Sequence, residues 1–479
     1  MRSPALRHAA AWLGLLGGAA LVWWAFWWPD ASGTEVYSRA PRNANDDAVP
    51  PLHGLWQPTW FGPGTLPALL IALLSWRYAA ALAERLPWRR LLLASYAAGL
   101  GWMLALALVD GESGLSRQLG NPWEYLETAR SVTDVGALLR GWVERMPMDS
   151  PDAFVTHVAG HPPAALLFFV GLDRVGLGGD LAAGVVVTLL AATTALGVMV
   201  TLRALGAEEV ARRAAPFLVL APSAVFMAVS FDAVIAATAA WGLACLALGA
   251  TAATRRTALA WSALAGLVLG TLVMLSWGMP LMGLVALAVL VAARSWLPLP
   301  VSALTALLVV LGFAAAGWTW WEVYPHLVDR YYEGIAKDRP IDYWRWANLA
   351  LLLISAGPLL AAGLVHAPLA ALRDRQFHRP AGETATGTTK HRPASAEIAT
   401  PVTASSRRTA LLLVVAAVGC VALASWSEMS KAEVERIWLP FMPWLLVSCA
   451  LLPAGWRRWG LGLQLATALV VQHLFYTTW

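Results

Sequence analysis

Acids, two histidines and an arginine stand at the ends of apolar runs in this chain, where a membrane-embedded protein would meet water. Asp110 closes one such run and is followed by Gly111 and Glu112. In a helix directed outward it would sit at the negative end of the macrodipole, where a carboxylate is mildly unfavourable. Two readings stand side by side: an Asp-Gly turn, or an acid kept there as a general base, because perturbed acids mark sites. Glu112 is the reserve for that role, and Glu322 occupies a similar costly position after a later run. Asp232 opens a run after Ser230-Phe231 and reads as an N-cap.

Arg436 stands in E-V-E-R-I-W-L-P-F-M-P-W, at the start of an apolar run. A cation there opposes the positive helix N-terminus and, if the site faces outward, the positive-inside bias as well. It therefore needs an anion. The partners are Glu433 and Glu435, or a lipid phosphate, to which a guanidinium can donate a bidentate pair. His157 and His161 are four apart and could share a helical face to bind metal. Gly160 and Pro162 interrupt that helix, so no metal site is expected. Both histidines are candidate substrate contacts, His161 toward an anionic headgroup or as a turn histidine at the interface.

The elements that must position these residues are membrane spans. Of 479 residues 58% are hydrophobic and 13% charged, too little polar surface for a soluble globule of this size. Apolar runs at about 9–28, 64–83, 91–109, 183–204, 215–230, 233–250, 258–275, 279–293, 301–321, 347–366, 409–426, 437–453 and 459–476 predict an all-α polytopic membrane protein with about 13 transmembrane helices. The segment 161–179 is short, opens with Pro162-Pro163 and carries Asp173-Arg174, so it reads as a re-entrant or half helix. That assignment keeps the basic residues inside, with the N-terminus cytoplasmic and the C-terminus and the 110–160 loop outside.

The expected organisation is an N-terminal two-span extension over 1–90, a transmembrane core over 91–371, a disordered cytoplasmic linker over 372–408 and a three-span segment over 409–479. Within the outer loop, Asn121-Pro122-Trp123-Glu124 has a helix-start pattern, Glu124 closing a capping box. Apolar positions at Leu126, Ala129, Val132, Val135, Leu139, Trp142 and Met146 then predict an amphipathic interfacial helix. Many of the 27 tryptophans cluster at the ends of runs and read as an interfacial belt more than as a saccharide groove. Cys245, Cys420 and Cys449 lie inside apolar runs and read as small hydrophobes. There is no glycine-rich nucleotide fingerprint and no internal repeat.

Taken in order, an acid after an outward run, a long loop with an amphipathic helix, H-P-P at 161–163, and A-P-S-A-V-F-M-A-V-S-F-D at 221–232 resemble the GT-C superfamily of integral-membrane glycosyltransferases. The resemblance covers roughly 89–443. It implies a lipid-phosphate-linked sugar as donor, a glycan, lipid or protein as acceptor, and a membrane but no nucleic acid as partner. It implies no cofactor, with a divalent metal left open. It maps a catalytic aspartate to Asp110 and a late arginine near the lipid phosphate to Arg436. The chain departs from the family pattern in its first two spans and in the extra outer loop Pro29–Gly62, whose Asp46-Asp47 competes with Asp110. The family's frequent tandem acids are replaced by Asp110-Gly111-Glu112. The rival classes are a transporter or flippase of a lipid-linked or small polar substrate, and a noncatalytic envelope-assembly protein. Acids at the membrane face and the lack of a repeat speak against the transporter.

Overall fold

The computed structural model describes residues 4–40, 47–377 and 402–477. The helices are α1 Pro4–Ser32, α2 Thr65–Arg85, α3 Trp88–Ala107, α4 Leu126–Ser131, α5 Val135–Arg140, α6 Thr156–Ala159, α7 Pro163–Arg174, α8 Asp180–Ala191, α9 Thr194–Ala204, α10 Glu208–Val219 and α11 Ser223–Met227. They continue as α12 Phe231–Ala250, α13 Arg255–Leu275, α14 Gly283–Ala293, α15 Pro298–Ala315, α16 Trp320–Glu333, α17 Ile341–Ser355, α18 Leu359–Phe377, α19 Ala404–Trp426, α20 Val434–Ile437, α21 Met442–Leu446 and α22 Ala454–Leu474. Two three-residue strands, β1 Gly54–Trp56 and β2 Phe475–Thr477, pair antiparallel with Leu55 opposite Tyr476.

The chain is an almost wholly helical, polytopic membrane protein. Among the described residues eight helices are long and apolar enough to cross a bilayer, and a ninth is added if the bent pair 341–369 is one span. Burial sorts them: α12 is buried along 78% of its apolar window and forms the centre, whereas α15 at 11% and α1 and α2 at 17% face the lipid. Of the remaining expected runs, 459–476 lies in the unbroken 21-residue α22, which is less apolar than the eight, and the others are broken or short for local reasons. The run at 215–230 divides into α10 and α11 at Leu220-Ala221-Pro222, because Pro222 has no N–H and disfavours a helical residue before it. The run at 347–366 bends by 99° where Gly357, at φ +91°, precedes Pro358. Gln464 satisfies the freed backbone there, donating to Ala356 O at 2.7 Å and accepting from Leu359 N at 3.2 Å. Helix α7 has 12 residues, about 18 Å, and so is a half helix against a core of about 30 Å.

The loop from 108 to 162 is built differently from the single amphipathic helix its pattern suggests. Asn121 Oδ1 accepts from Trp123 N at 3.0 Å, so its side chain makes a tight turn instead of capping a helix. Helix α4 begins only at Leu126 and stops at Val132, and α5 restarts behind Asp134, whose Oδ1 accepts from Ala137 N at 3.0 Å. The predicted apolar stripe is real but faces protein: Leu126, Ala129, Leu139, Trp142 and Met146 are buried. Among the belt tryptophans, Trp23, Trp27, Trp321 and Trp459 are exposed, while Trp318 is buried against Trp142 and Trp277. The three cysteines are buried free thiols. Of the expected linker, 378–401 lie outside the described residues, and the flanks are helical.

Candidate functional site

Two polar stations lie side by side at the end of the bundle where α3 and α22 terminate. The first is built on Asp110. Helix α3 gives way to a 3-10 turn over Leu108–Leu115, in which Gly111 takes φ +71°, a left-handed conformation that a Cβ would oppose. The reversal turns Asp110 back toward the protein. Its Oδ2 accepts from Arg117 Nη2 at 2.6 Å and from Gln472 Nε2 at 3.1 Å, and its Oδ1 accepts from Thr59 Oγ1 at 3.4 Å. The Arg117 guanidinium lies 4.3 Å from the Tyr476 ring centroid and donates to Thr477 O. Gly62 and Gly64 let the N-terminal extension lie directly on the last turn of α3, where a Cβ on either would strike the backbone of Ala105 to Val109. The Asp110 and Arg117 side chains remain 11% and 23% exposed, so this ion pair touches the surroundings. Glu112, the reserve acid, is exposed, and its carboxylate makes no hydrogen bond or ion pair among the described residues.

The second station is built on Arg436 in α20 and is closed. Arg436 Nη1 donates to Asp232 Oδ2 at 3.0 Å, and Nη2 donates to His157 Nε2 at 3.3 Å and lies 3.5 Å from Glu433 Oε2. Since Nε2 faces a donor, the His157 ring proton belongs on Nδ1, which sits 2.6 Å from Glu124 Oε1. Gln118 Nε2 donates to the same oxygen at 3.0 Å. On the other side Arg339 donates to Glu433 Oε1 at 2.8 Å, to Lys431 O at 2.5 Å and to Tyr37 O at 2.9 Å. Glu435 Oε1 accepts from His53 N at 3.0 Å, while its Oε2 is buried without a hydrogen bond.

The electrostatics follow from burial set against these neighbours. Burial opposes the charge on Arg436, but Asp232, Glu124 and Glu433 outweigh it and keep the guanidinium more firmly protonated than usual. Burial would raise Glu433, yet Arg339, His53 and Arg436 hold it far below the ordinary carboxylate range. Burial would likewise raise Glu124, and His157 and Arg436 bring it below its usual value. Glu435 has less compensation, so burial pushes it up to about 7. The backbone records the same crowding: Ala432 and Glu433 both hold left-handed conformations at φ +66° and +61°.

Several expected roles change. Asp232 is no N-cap, since Ser230 occupies that position, and its carboxylate serves Arg436 across 204 residues. Glu124, read as closing a capping box, is buried against His157. Glu322 does not end a span: α15 stops at Ala315, and Glu322 lies in the first turn of α16, where a carboxylate is favourable and Thr319 Oγ1 donates to it at 2.9 Å. Glu322 belongs to neither station. His161 shares Tyr125 with His157 and feels the charges of Asp232 and Arg436, while its Nδ1–H donates to Leu275 O at 2.9 Å. Among the described residues no group of three or more His, Cys, Asp or Glu could hold a metal ion. Asp46 lies outside the described residues, and Asp47 is exposed. Sequence reasoning gave no site role to Asp232, Glu124, Arg339, His53 or Arg117. The one available signal was S-F-D, in which the serine could cap and leave the aspartate for other work.

No family model matches the chain, and no curated protein matches it. Among solved structures the chain is similar to the crystal structure of ArnT from Cupriavidus metallidurans in the apo state, at 18% identity and a TM-score of 0.39. The match covers 71% of this chain and 56% of that one. A likeness at this level leaves function to be argued from the two stations.

Proposed function

We propose that the protein is a membrane glycosyltransferase that moves a sugar from a polyprenyl-phosphate donor to an acceptor hydroxyl at the outer face of the membrane. The observation that carries this reading is the part-exposed Asp110–Arg117 pair at the end of a membrane span. Such a transfer needs one base for the acceptor hydroxyl and positive charge for the departing phosphate, with no dedicated general acid, because the phosphate already leaves well. Asp110 is the base. Arg117 orients it through Nη2 and has further N–H groups to offer an anion, since a guanidinium carries five donors. One carboxylate acting alone fits direct displacement with inversion at the anomeric carbon.

Arg436 takes a supporting role in this account. The bland expectation of a glutamate partner is met by Glu433, and Asp232 adds a second carboxylate, so its charge is already matched by protein anions. A donor phosphate would have to displace them. Arg436 instead ties α12, the loop at 118–157 and α20 into one wall behind the reactive pair.

The test is direct: purified protein is incubated with a panel of polyprenyl-phosphate sugars, and release of polyprenyl phosphate is followed. Consumption of a donor by the wild type and none by a folded Asp110→Asn variant supports transfer. Movement of the lipid-linked sugar across a bilayer with its glycosidic bond intact would support the transporter instead.

A further inference from the structure

The two carboxylate oxygens of Asp110 are held unequally. Oδ2 accepts both of the shorter bonds, from Arg117 Nη2 at 2.6 Å and from Gln472 Nε2 at 3.1 Å. Oδ1 has Thr59 Oγ1 at 3.4 Å, near the limit of a hydrogen bond. Each donor fills lone-pair space that an incoming hydroxyl would need, so Oδ1 is the better placed proton acceptor. Arg117 divides its donors, because it also bonds Thr477 O, packs on Tyr476 and is partly exposed.

Gln472 is the steadier of the two anchors on Oδ2. It is buried near the end of α22, and as a neutral donor it fixes the carboxylate without the added positive charge that would weaken it as a base. The next residue pins its backbone. His473 Nδ1–H donates to Leu469 O at 2.9 Å, which leaves Nε2 to accept from Thr65 Oγ1 at 3.0 Å, and His473 O accepts from Thr59 N at 2.7 Å. Thr59 thereby bonds both His473 and Asp110, and a ring of contacts closes through residues 59, 110, 472 and 473.

We propose that Gln472 is a positioning residue for transfer, holding Oδ2 of Asp110 so that Oδ1 faces the acceptor hydroxyl. The role rests on the glycosyltransferase reading above and adds to it the oxygen that takes the proton. As the acceptor oxygen bonds to the anomeric carbon, its proton passes to Oδ1, and the bond to the phosphate breaks with its electron pair leaving on polyprenyl phosphate.

The experiment measures polyprenyl-phosphate release by the full-length protein, as kcat and KM for the donor across the acid limb of the pH profile, with an unfolding midpoint for each variant. Gln472→Met removes the donor and keeps the length of the side chain. It should lower kcat roughly 10- to 100-fold and leave KM within about twofold, because a misaimed base costs turnover and not donor binding. Gln472→Glu keeps the shape and sets a second carboxylate against Oδ2, so its acid limb should move upward by about one pH unit, since ionising Asp110 then meets a like charge. Arg117, the charged group bonded to Asp110 among the described residues, is unchanged in both variants. A residue that only packs α22 would instead move kcat and the unfolding midpoint together and leave the acid limb in place. A folded Gln472→Met protein with wild-type kcat overturns the role, and so does a Gln472→Glu profile that coincides with the wild type. If Gln472→Met does not fold, the Glu variant of the same shape decides by its acid limb. A wild type that releases polyprenyl phosphate from none of the donors fails the transfer reading and overturns this role with it, whereas an active wild type matched by its Gln472 variants overturns this role alone.

Discussion

Asp110 and Arg436 are both ionised groups at the same end of the bundle, yet their surroundings are opposite. Asp110 has one cation and two neutral donors, is partly open, and can give up a partner at modest cost. Arg436 is 6% exposed among Asp232, Glu433 and the Glu124–His157 pair, and every change to it leaves a buried charge behind. A group that must exchange a proton or meet a substrate belongs in the first environment. A group that must hold helices in register belongs in the second.

Removing Asp232 should therefore have the largest effect on the fold. Asp232→Ala strands the Arg436 guanidinium and should destabilise by about 3–5 kcal/mol, read as a fall in the unfolding midpoint in detergent. Adding Arg436→Ala should restore part of that loss, because the buried charge is then gone. By contrast Asp110→Ala should cost less than Asp232→Ala, because the cation it strands, Arg117, is 23% exposed and can still meet water. Equal losses at the two positions would erase the distinction between the stations.

Arg117 sharpens the comparison from the other side. Arg117→Ala should slow transfer by roughly 10²–10³-fold, the scale for losing a donor aimed at developing charge. Arg117→Lys should recover only part, since it keeps the charge and loses the planar fork. Arg436→Lys should instead change stability more than donor dependence.

The closed station should also announce itself through pH. Burial raises the Glu435 carboxyl from 4.5 to about 7, so between those values the folded protein keeps a proton that the unfolded chain releases. Stability then falls as pH rises from about 4.5 to about 7 and levels off above it. Glu435→Gln should flatten that decline, measured as melting temperature against pH. An unchanged slope would show that another group titrates. The smallest effect is expected at Glu112, whose exposed carboxylate makes no hydrogen bond or ion pair among the described residues: Glu112→Gln should leave stability within about 0.5 kcal/mol and transfer nearly unaltered.

What could be read from residues alone divides along the same line. The turn at Asp110 was legible because its signal is local, an acid at the end of an apolar run before glycine. The half helix at 163–174 was visible for the same reason, its length and its two prolines. The Asp232–Arg436 pair was not, because nothing near either residue encodes a partner 204 positions away. Arg436 could be seen to need an anion, but which anion is a property of packing. The loop helix failed where side-chain chemistry overrode periodicity: Asn121 made a turn and Asp134 opened a second helix within one continuous stripe. The pairing of β1 with β2, which brings the extension onto Arg117, joins residues 54–56 to 475–477 and has no sequence signature.

The most direct measurement is turnover of a polyprenyl-phosphate sugar by wild type and Asp110→Asn protein, each shown to be folded by its unfolding midpoint. Asparagine keeps the size and can still accept from Thr59, but it cannot take a proton from the acceptor. The account predicts a variant with near-native stability and no detectable transfer. Full transfer by Asp110→Asn, with activity lost instead on changing Glu124 or Glu435 in a folded protein, would contradict it and move the base to the closed station.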